Sequence, residues 1–270
     1  MADGRKTAPV IELEAGSRKD RVLAWVDPVR GGRVAQVEIA GRGLLVDDPD
    51  NGPMGWGSYP MAPWAGRVRN GRLSFAGQQY RLPINLGDHA IHGTVFTAAW
   101  TLTDQGHDFV DLTCPLTWPF GGVAQQHIQL TRDRLICFLT VLATDQPMPA
   151  TIGWHPWFRK PTSTAVEFES MYERDADGVP SGVMHDPPPP PWDDCFVRPT
   201  APLRLHYPDL TVTVDSDCDH WVVYDMPAHA TCIEPQSGPP DAFNLGSAAV
   251  LEPGELLQRW MTIAWQPAAR

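Results

Sequence analysis

The stretch Val123–Gln146 reads VAQQHIQLTRDRLICFLTVLATDQ and is the longest run of the chain without proline or glycine. A surface helix would repeat its apolar residues every three or four positions. Here the first part alternates, as in His127-Ile128-Gln129-Leu130, and the second is the β-rich run Leu135-Ile136-Cys137-Phe138-Leu139-Thr140-Val141. Between them Thr131-Arg132-Asp133-Arg134 is polar and turn-like. The stretch predicts a hairpin rather than a helix. Outward from it, the same reading applies to Arg33–Ile39, Thr164–Phe168, Leu203–Tyr207, Leu210–Val214, Trp221–Tyr224 and Trp260–Trp265. Short strands at fairly regular intervals, separated by turn residues, predict an all-β chain folded as a β-sandwich. Proline (28) and glycine (23) make up nearly a fifth of the 270 residues, which rules out an extended helical bundle.

Two stretches depart from the strand rhythm. Asn51–Arg72 is rich in glycine, proline and tryptophan and is expected to be an ordered loop over an opening. Pro187–Pro191 (PPPPP) has no backbone donors and is expected to run extended over the surface, within one domain covering residues 1–270. Apolar residues at 43% and 11 tryptophans indicate a chain that folds. The formal charge of −11 repels phosphate backbones, which argues against a nucleic-acid partner. No stretch approaches the length of apolar sequence that spans a bilayer. The opening MADGRKTAPVIEL lacks the apolar segment of a secretory signal, so a cytoplasmic location is expected. The five cysteines (114, 137, 195, 218 and 232) form no C-x-x-C pair and are expected to be reduced, buried thiols.

Four segments carry residues suited to chemistry. Pro63–Arg72 sets Arg67, Arg69 and Arg72 beside Trp64. Guanidinium groups fork onto adjacent oxygens and an indole face stacks on a sugar ring; a solvated basic loop is the plain alternative. His89-Ala90-Ile91-His92 places two imidazoles three apart, but in an extended segment they point to opposite sides, and no metal site is expected. His155 lies between Trp154 and Trp157 in GWHPWF, an apolar and stiff setting that can tune its pKa or simply bury it. Glu234 follows Cys232-Ile233 and precedes Pro235, as at a strand end lining a pocket mouth or merely exposed.

Taken together, PWAGRVRNGRLSF, NLGDHAIHG, GWHPWF and CIEPQSGPPDAFN resemble the aldose 1-epimerase (galactose mutarotase) family in order and separation. Trp192-Asp193-Asp194-Cys195-Phe196 resembles that family's aspartate-bearing sugar-binding segment, and Leu251-Glu252-Pro253-Gly254-Glu255 before WMTIAW fits its closing strand. The resemblance runs from about Arg33 to Trp265. It implies a large antiparallel β-sandwich with a sugar bound in an open cleft. The activity it implies is interconversion of the α and β anomers of an aldose. Carried over, the catalytic base falls on Glu234 and the acid on His155. Substrate binding falls on Arg67, His92, Asp193, Trp157 and Gln236. No metal or organic cofactor is implied, and the partner is a small sugar bound by a monomer or homodimer.

Three departures from the family pattern stand out. Arg67 follows Gly66 where many members have asparagine, so a sugar contact is either lost or supplied by Asn70. HPWF replaces HPYF and drops a hydroxyl. WDDCF offers Asp194 as well as Asp193. Ring opening needs a proton removed from the C1 hydroxyl and another given to the ring oxygen, and the expected arrangement is a carboxylate and an imidazole on opposite sides of the sugar. The alternatives are a mutarotase for a phosphorylated or otherwise modified hexose, using Arg69 and Arg72, and a non-catalytic carbohydrate-binding protein.

Overall fold

The computed structural model describes residues 10–18 and 20–268; the N-terminal reading therefore falls mostly on residues outside it. The predicted hairpin is present as Val123–Leu130 and Arg134–Leu142, paired antiparallel. Thr131 closes the turn, its Oγ1 accepting the amides of Asp133 and Arg134. Across the hairpin Ala124, Gln126, Ile128 and Leu130 stand opposite Val141, Leu139, Cys137 and Leu135, and all are buried. Alternation thus sends one face of the pair into the core.

The hairpin lies in an 8-stranded antiparallel sheet among the described residues. From edge to edge its strands are Thr101–Gln105, Phe109–Pro115, Val123–Leu130, Arg134–Leu142, Leu256–Pro267, Leu210–Ser216, Leu203–His206 and Ser163–Ala165. A larger, 11-stranded sheet faces it. Its order runs Ile11–Ala15, Val22–Asp27, Arg33–Ile39, Ser58–Met61, Gly153–Arg159, Ala230–Gln236, His220–Tyr224, Asp193–Pro199, Phe168–Arg174 and Pro180–His185, with Arg42–Gly43 beside Arg33–Ile39. Trp154, Phe158, Phe196, Trp221 and Ile233 of the larger sheet share one core with Leu135, Leu139, Val212, Met261 and Ile263 of the smaller. The architecture is the expected large antiparallel sandwich.

Two local readings are corrected. Asn51–Arg72 is not one loop: Ser58–Met61 is a fully buried strand inside the larger sheet, and Arg67–Val68 pairs with Ala90–Ile91. Burial on both faces erased the alternation, and Pro60 argued against a central strand. Thr164–Phe168 is not one strand either. The chain crosses there from Ser163–Ala165 in the smaller sheet to Phe168–Arg174 in the larger. Pro187–Pro191 does run over the surface, joining Pro180–His185 to Asp193–Pro199. All five cysteines are buried and unpaired. Among the described residues no helix is long and apolar enough to cross a membrane.

Candidate active site

Along Gly153–Arg159 and Ala230–Gln236, Trp154, Phe158 and Ile233 enter the core, so the alternate residues His155, Trp157, Glu234 and Gln236 face the other way. They line a cleft of about 290 Å³ on the outer face of the larger sheet. Neighbouring strands add Tyr59, Tyr224 and Asp193 to its walls. Arg67 and His92 reach it from the short ribbon formed by Arg67–Val68 and Ala90–Ile91.

The ladder pairs Gly153 with Gln236 and Trp157 with Cys232, a register that sets His155 across from Glu234. Pro156 and Pro235 remove two donors from these strands. The imidazole Nε2 lies 3.3 Å from the Glu234 carboxyl. Its ring is clamped between Tyr59, at 4.9 Å and 26°, and Trp157, at 5.2 Å and 11°. His92 stands edge-on to it at 5.1 Å. Gln236 Nε2 approaches the second Glu234 oxygen at 3.5 Å. The acid and base expected on opposite sides of a sugar are therefore side by side, because their strands are neighbours in register.

Burial dominates the electrostatics. His155 is 6% exposed and Glu234 2%. Burial pushes the His155 imidazole down to about 3, with the positive charge of Arg33 adding to the effect. It pushes Glu234 well above the carboxylate range, helped by the negative charge of Asp193 and opposed by Arg67. His92 is driven well below the usual imidazole range, by burial first and then by His155 and Arg67. Burial thus favours the uncharged form of Glu234 and of both imidazoles.

All seven residues singled out from the sequence (Glu234, His155, Arg67, His92, Asp193, Trp157 and Gln236) line this one cleft. The remaining candidates lie elsewhere. Trp64 and Trp154 are in the core. Asp194 does not line the cleft and binds Arg174 Nε at 2.8 Å, while Asp193 meets Nη1 of the same guanidinium at 2.9 Å. Asn70 sits in an exposed turn with φ 51°, donating its amide to His89 Nδ1. Asn70 therefore lies outside the cleft and does not replace the family's asparagine. Gly66 has φ 68°, and a Cβ there would meet Pro240 at 2.7 Å. The Gly238-Pro239-Pro240 corner occupies the space that an asparagine would need.

The sequence reading missed Tyr59, Tyr224 and Arg33. Tyr59 was hidden in the stretch read as loop. Arg33 looked like the first residue of a strand, yet its guanidinium is 1% exposed. It donates to the carbonyls of Arg30 at 2.7 Å, Trp56 at 2.9 Å, Pro53 at 2.8 Å and Phe96 at 3.1 Å. It also lies 5.2 Å from the Tyr59 ring that stacks on His155. A charged residue opening an apolar strand carries no sign of this role.

The sequence model of the family described as aldose 1-epimerase matches residues 30–264. The chain belongs to the aldose 1-epimerase family. Its similarity to the uncharacterized Escherichia coli K12 protein YihR is 24% identity over 271 residues, covering 83% of this chain and 84% of YihR. Another uncharacterized protein of that organism, YphB, is 27% identical over 119 residues, 42% of this chain but only 40% of YphB. The fold is similar to that of galactose 1-epimerase from Lactobacillus acidophilus NCFM, with a TM-score of 0.81 at 15% identity, covering 99% of this chain and 98% of the other. At that identity the likeness speaks for the fold alone.

Proposed function

We propose that the protein is a mutarotase that interconverts the α and β anomers of an unphosphorylated aldose, with Glu234 and His155 as its acid–base pair. The observation that carries this reading is the 3.3 Å contact between the two groups at the floor of the cleft. O1 and the ring oxygen of a pyranose are both bonded to C1, so the two oxygens that exchange protons are also neighbours. A contiguous pair matches them.

Glu234 takes the O1 proton, His155 protonates the ring oxygen, and the roles reverse after rotation about C1–C2. The ring oxygen has lone pairs and no proton, so it needs a donor. Only the placement with the proton on His155 satisfies both sugar oxygens, since Glu234 then accepts from O1–H. Burial favours the opposite placement, so the mechanism requires hydrogen bonds from the bound sugar to favour the charged pair, the direction in which Arg67 already acts on Glu234. Each positioned acid or base contributes about 10²–10⁴-fold. His92 stabilises the ring-oxygen side. Arg67, Asp193 and Gln236 hold hydroxyls, and Trp157 offers the apolar face.

The volume of about 290 Å³ lies at the small end of ligand pockets and suits one monosaccharide. Neither cation considered for a phosphorylated sugar, Arg69 or Arg72, lines the cleft. Arg69 pairs with Asp175 at 2.5 Å and Asp177 at 3.4 Å, and Arg174 is shared by Asp193 and Asp194. Each sheet draws strands from distant parts of the sequence, which supports action as one domain. Polarimetry on freshly dissolved single anomers of glucose, galactose, xylose and glucose 6-phosphate tests the reading. Faster equilibration of at least one neutral sugar than in buffer supports it. Spontaneous rates for all four, or acceleration confined to the phosphate, would overturn it.

A further inference from the structure

One buried group beside the proposed acid–base pair has no part in proton transfer. Cys232 stands two residues before Glu234 on the same strand, so both side chains leave the same face of the sheet. The register sets Cys232 opposite Trp157 on one side and Tyr224 on the other, and these two rings meet edge-on at 6.0 Å. The thiol is fully buried. One ligating atom each from His155, Cys232 and Glu234 lie within 4.8 Å of one another.

We propose that His155, Cys232 and Glu234 form a binding site for a thiophilic divalent cation, with Zn²⁺ as the ion of that class, and that the bound ion shuts off the cleft. One imidazole, one sulfur and one carboxylate are the ligand types that Zn²⁺ takes at about 2.0–2.3 Å, and three protein ligands leave a fourth position open. His155 and Glu234 line the cleft, so an ion held there would take water or a sugar hydroxyl from that side. The sulfur and the small number of oxygens exclude Mg²⁺ and Ca²⁺. Tyr59 and Trp157 hold the imidazole so that Nε2 already points at Glu234, which fixes one ligand before the ion arrives. Asp193 also lines the cleft, its charge shared with Arg174 at 2.9 Å, and Arg67 adds a positive charge to the wall. Tetrahedral bonds of that length set ligand atoms about 3.5 Å apart, so the Cys232 and Glu234 side chains must draw in by about 1 Å.

Ligation needs the thiolate and the carboxylate, so the ion displaces the protons that these groups carry, and binding tightens as pH rises. The ion takes both members of the proton-transferring pair, which makes it a competitor of the sugar. Inhibition rests on the mutarotase reading; binding does not.

The test titrates the full chain with Cd²⁺, following the ultraviolet sulfur-to-cadmium charge-transfer band, and with Zn²⁺ against a chromogenic chelator. Wild type, Cys232→Ser, Cys232→Ala and the buried control Cys195→Ser are compared. The expected result is one ion per chain with the band present in wild type and Cys195→Ser. Both Cys232 variants lose the band, weaken Zn²⁺ binding about a hundredfold, and keep their anomer exchange while resisting zinc. No band in wild type, or equal zinc affinity in the Cys232 variants, overturns the site. Cys232-dependent binding without any anomer exchange would leave the site standing and remove the mutarotase reading instead.

Discussion

In the proposed mechanism the contact between His155 and Glu234 is the central feature, because burial moves the two groups in opposite directions. Such a pair titrates as a unit that holds one proton over a wide range. On the acid side it gains a second proton and loses its base. On the alkaline side it loses its only proton and therefore its acid. With His155 pushed down and Glu234 pushed up, the active window extends both ways from neutrality. A pH profile of kcat/KM for anomer exchange is expected to show its acid limb well below the ordinary imidazole pKa of about 6.5. A limb centred on that ordinary value would show that His155 is not desolvated as described. Singly these residues were not specific: GWHPWF marked a stiff, apolar setting for an imidazole and CIEPQ a strand-end carboxylate, and only the joint set of motifs singled them out. Their contact was not legible, because it depends on two strands nearly eighty positions apart becoming neighbours in register.

Elements fix that pair in place through contacts that leave no trace in alternation. The segment that begins at Arg67 is latched to the Glu234 motif. The Asp241 amide donates to the Arg67 carbonyl at 2.6 Å, its carboxyl accepts the Arg69 amide at 3.0 Å, and Asn244 donates to the Arg72 carbonyl at 3.0 Å. Two motifs that read as separate candidates are thus one structure. Behind His155 the same task falls to Arg33, which ties the Pro53–Trp56 turn and Phe96 beneath Tyr59. Arg33→Met keeps the apolar stem but leaves buried carbonyls without donors. It is expected to cost about 2–4 kcal/mol in urea unfolding and to slow anomer exchange. Unchanged stability would show that water satisfies those carbonyls. Hairpins such as Val123–Leu142 were readable because one face of each strand is buried and the other is not. Ser58–Met61 was unreadable because it is buried throughout and carries a proline.

At the scale of the whole molecule, two antiparallel sheets share one core, and the cleft sits on the side of the larger sheet that the core does not use. Layering explains why residues adjacent in sequence serve different ends: Trp154 and Phe158 join the sheets while His155 and Trp157 face the cleft. Removing the fully buried Phe158 ring as Phe158→Ala is expected to lower stability by about 3–5 kcal/mol. A urea midpoint equal to wild type would mean that the sheets do not depend on this contact. Composition and strand rhythm pointed to a sandwich, and the set of motifs selected the family. The central claim, that one buried acid–base pair opens and closes the sugar ring, is met most directly by magnetisation-exchange NMR on an equilibrated α/β sugar mixture. Wild type is expected to exchange the anomers faster than buffer, and Glu234→Gln and His155→Asn to do so at least about a hundredfold more slowly than wild type, with sugar affinity retained. Exchange near the wild-type rate in either variant would contradict the account.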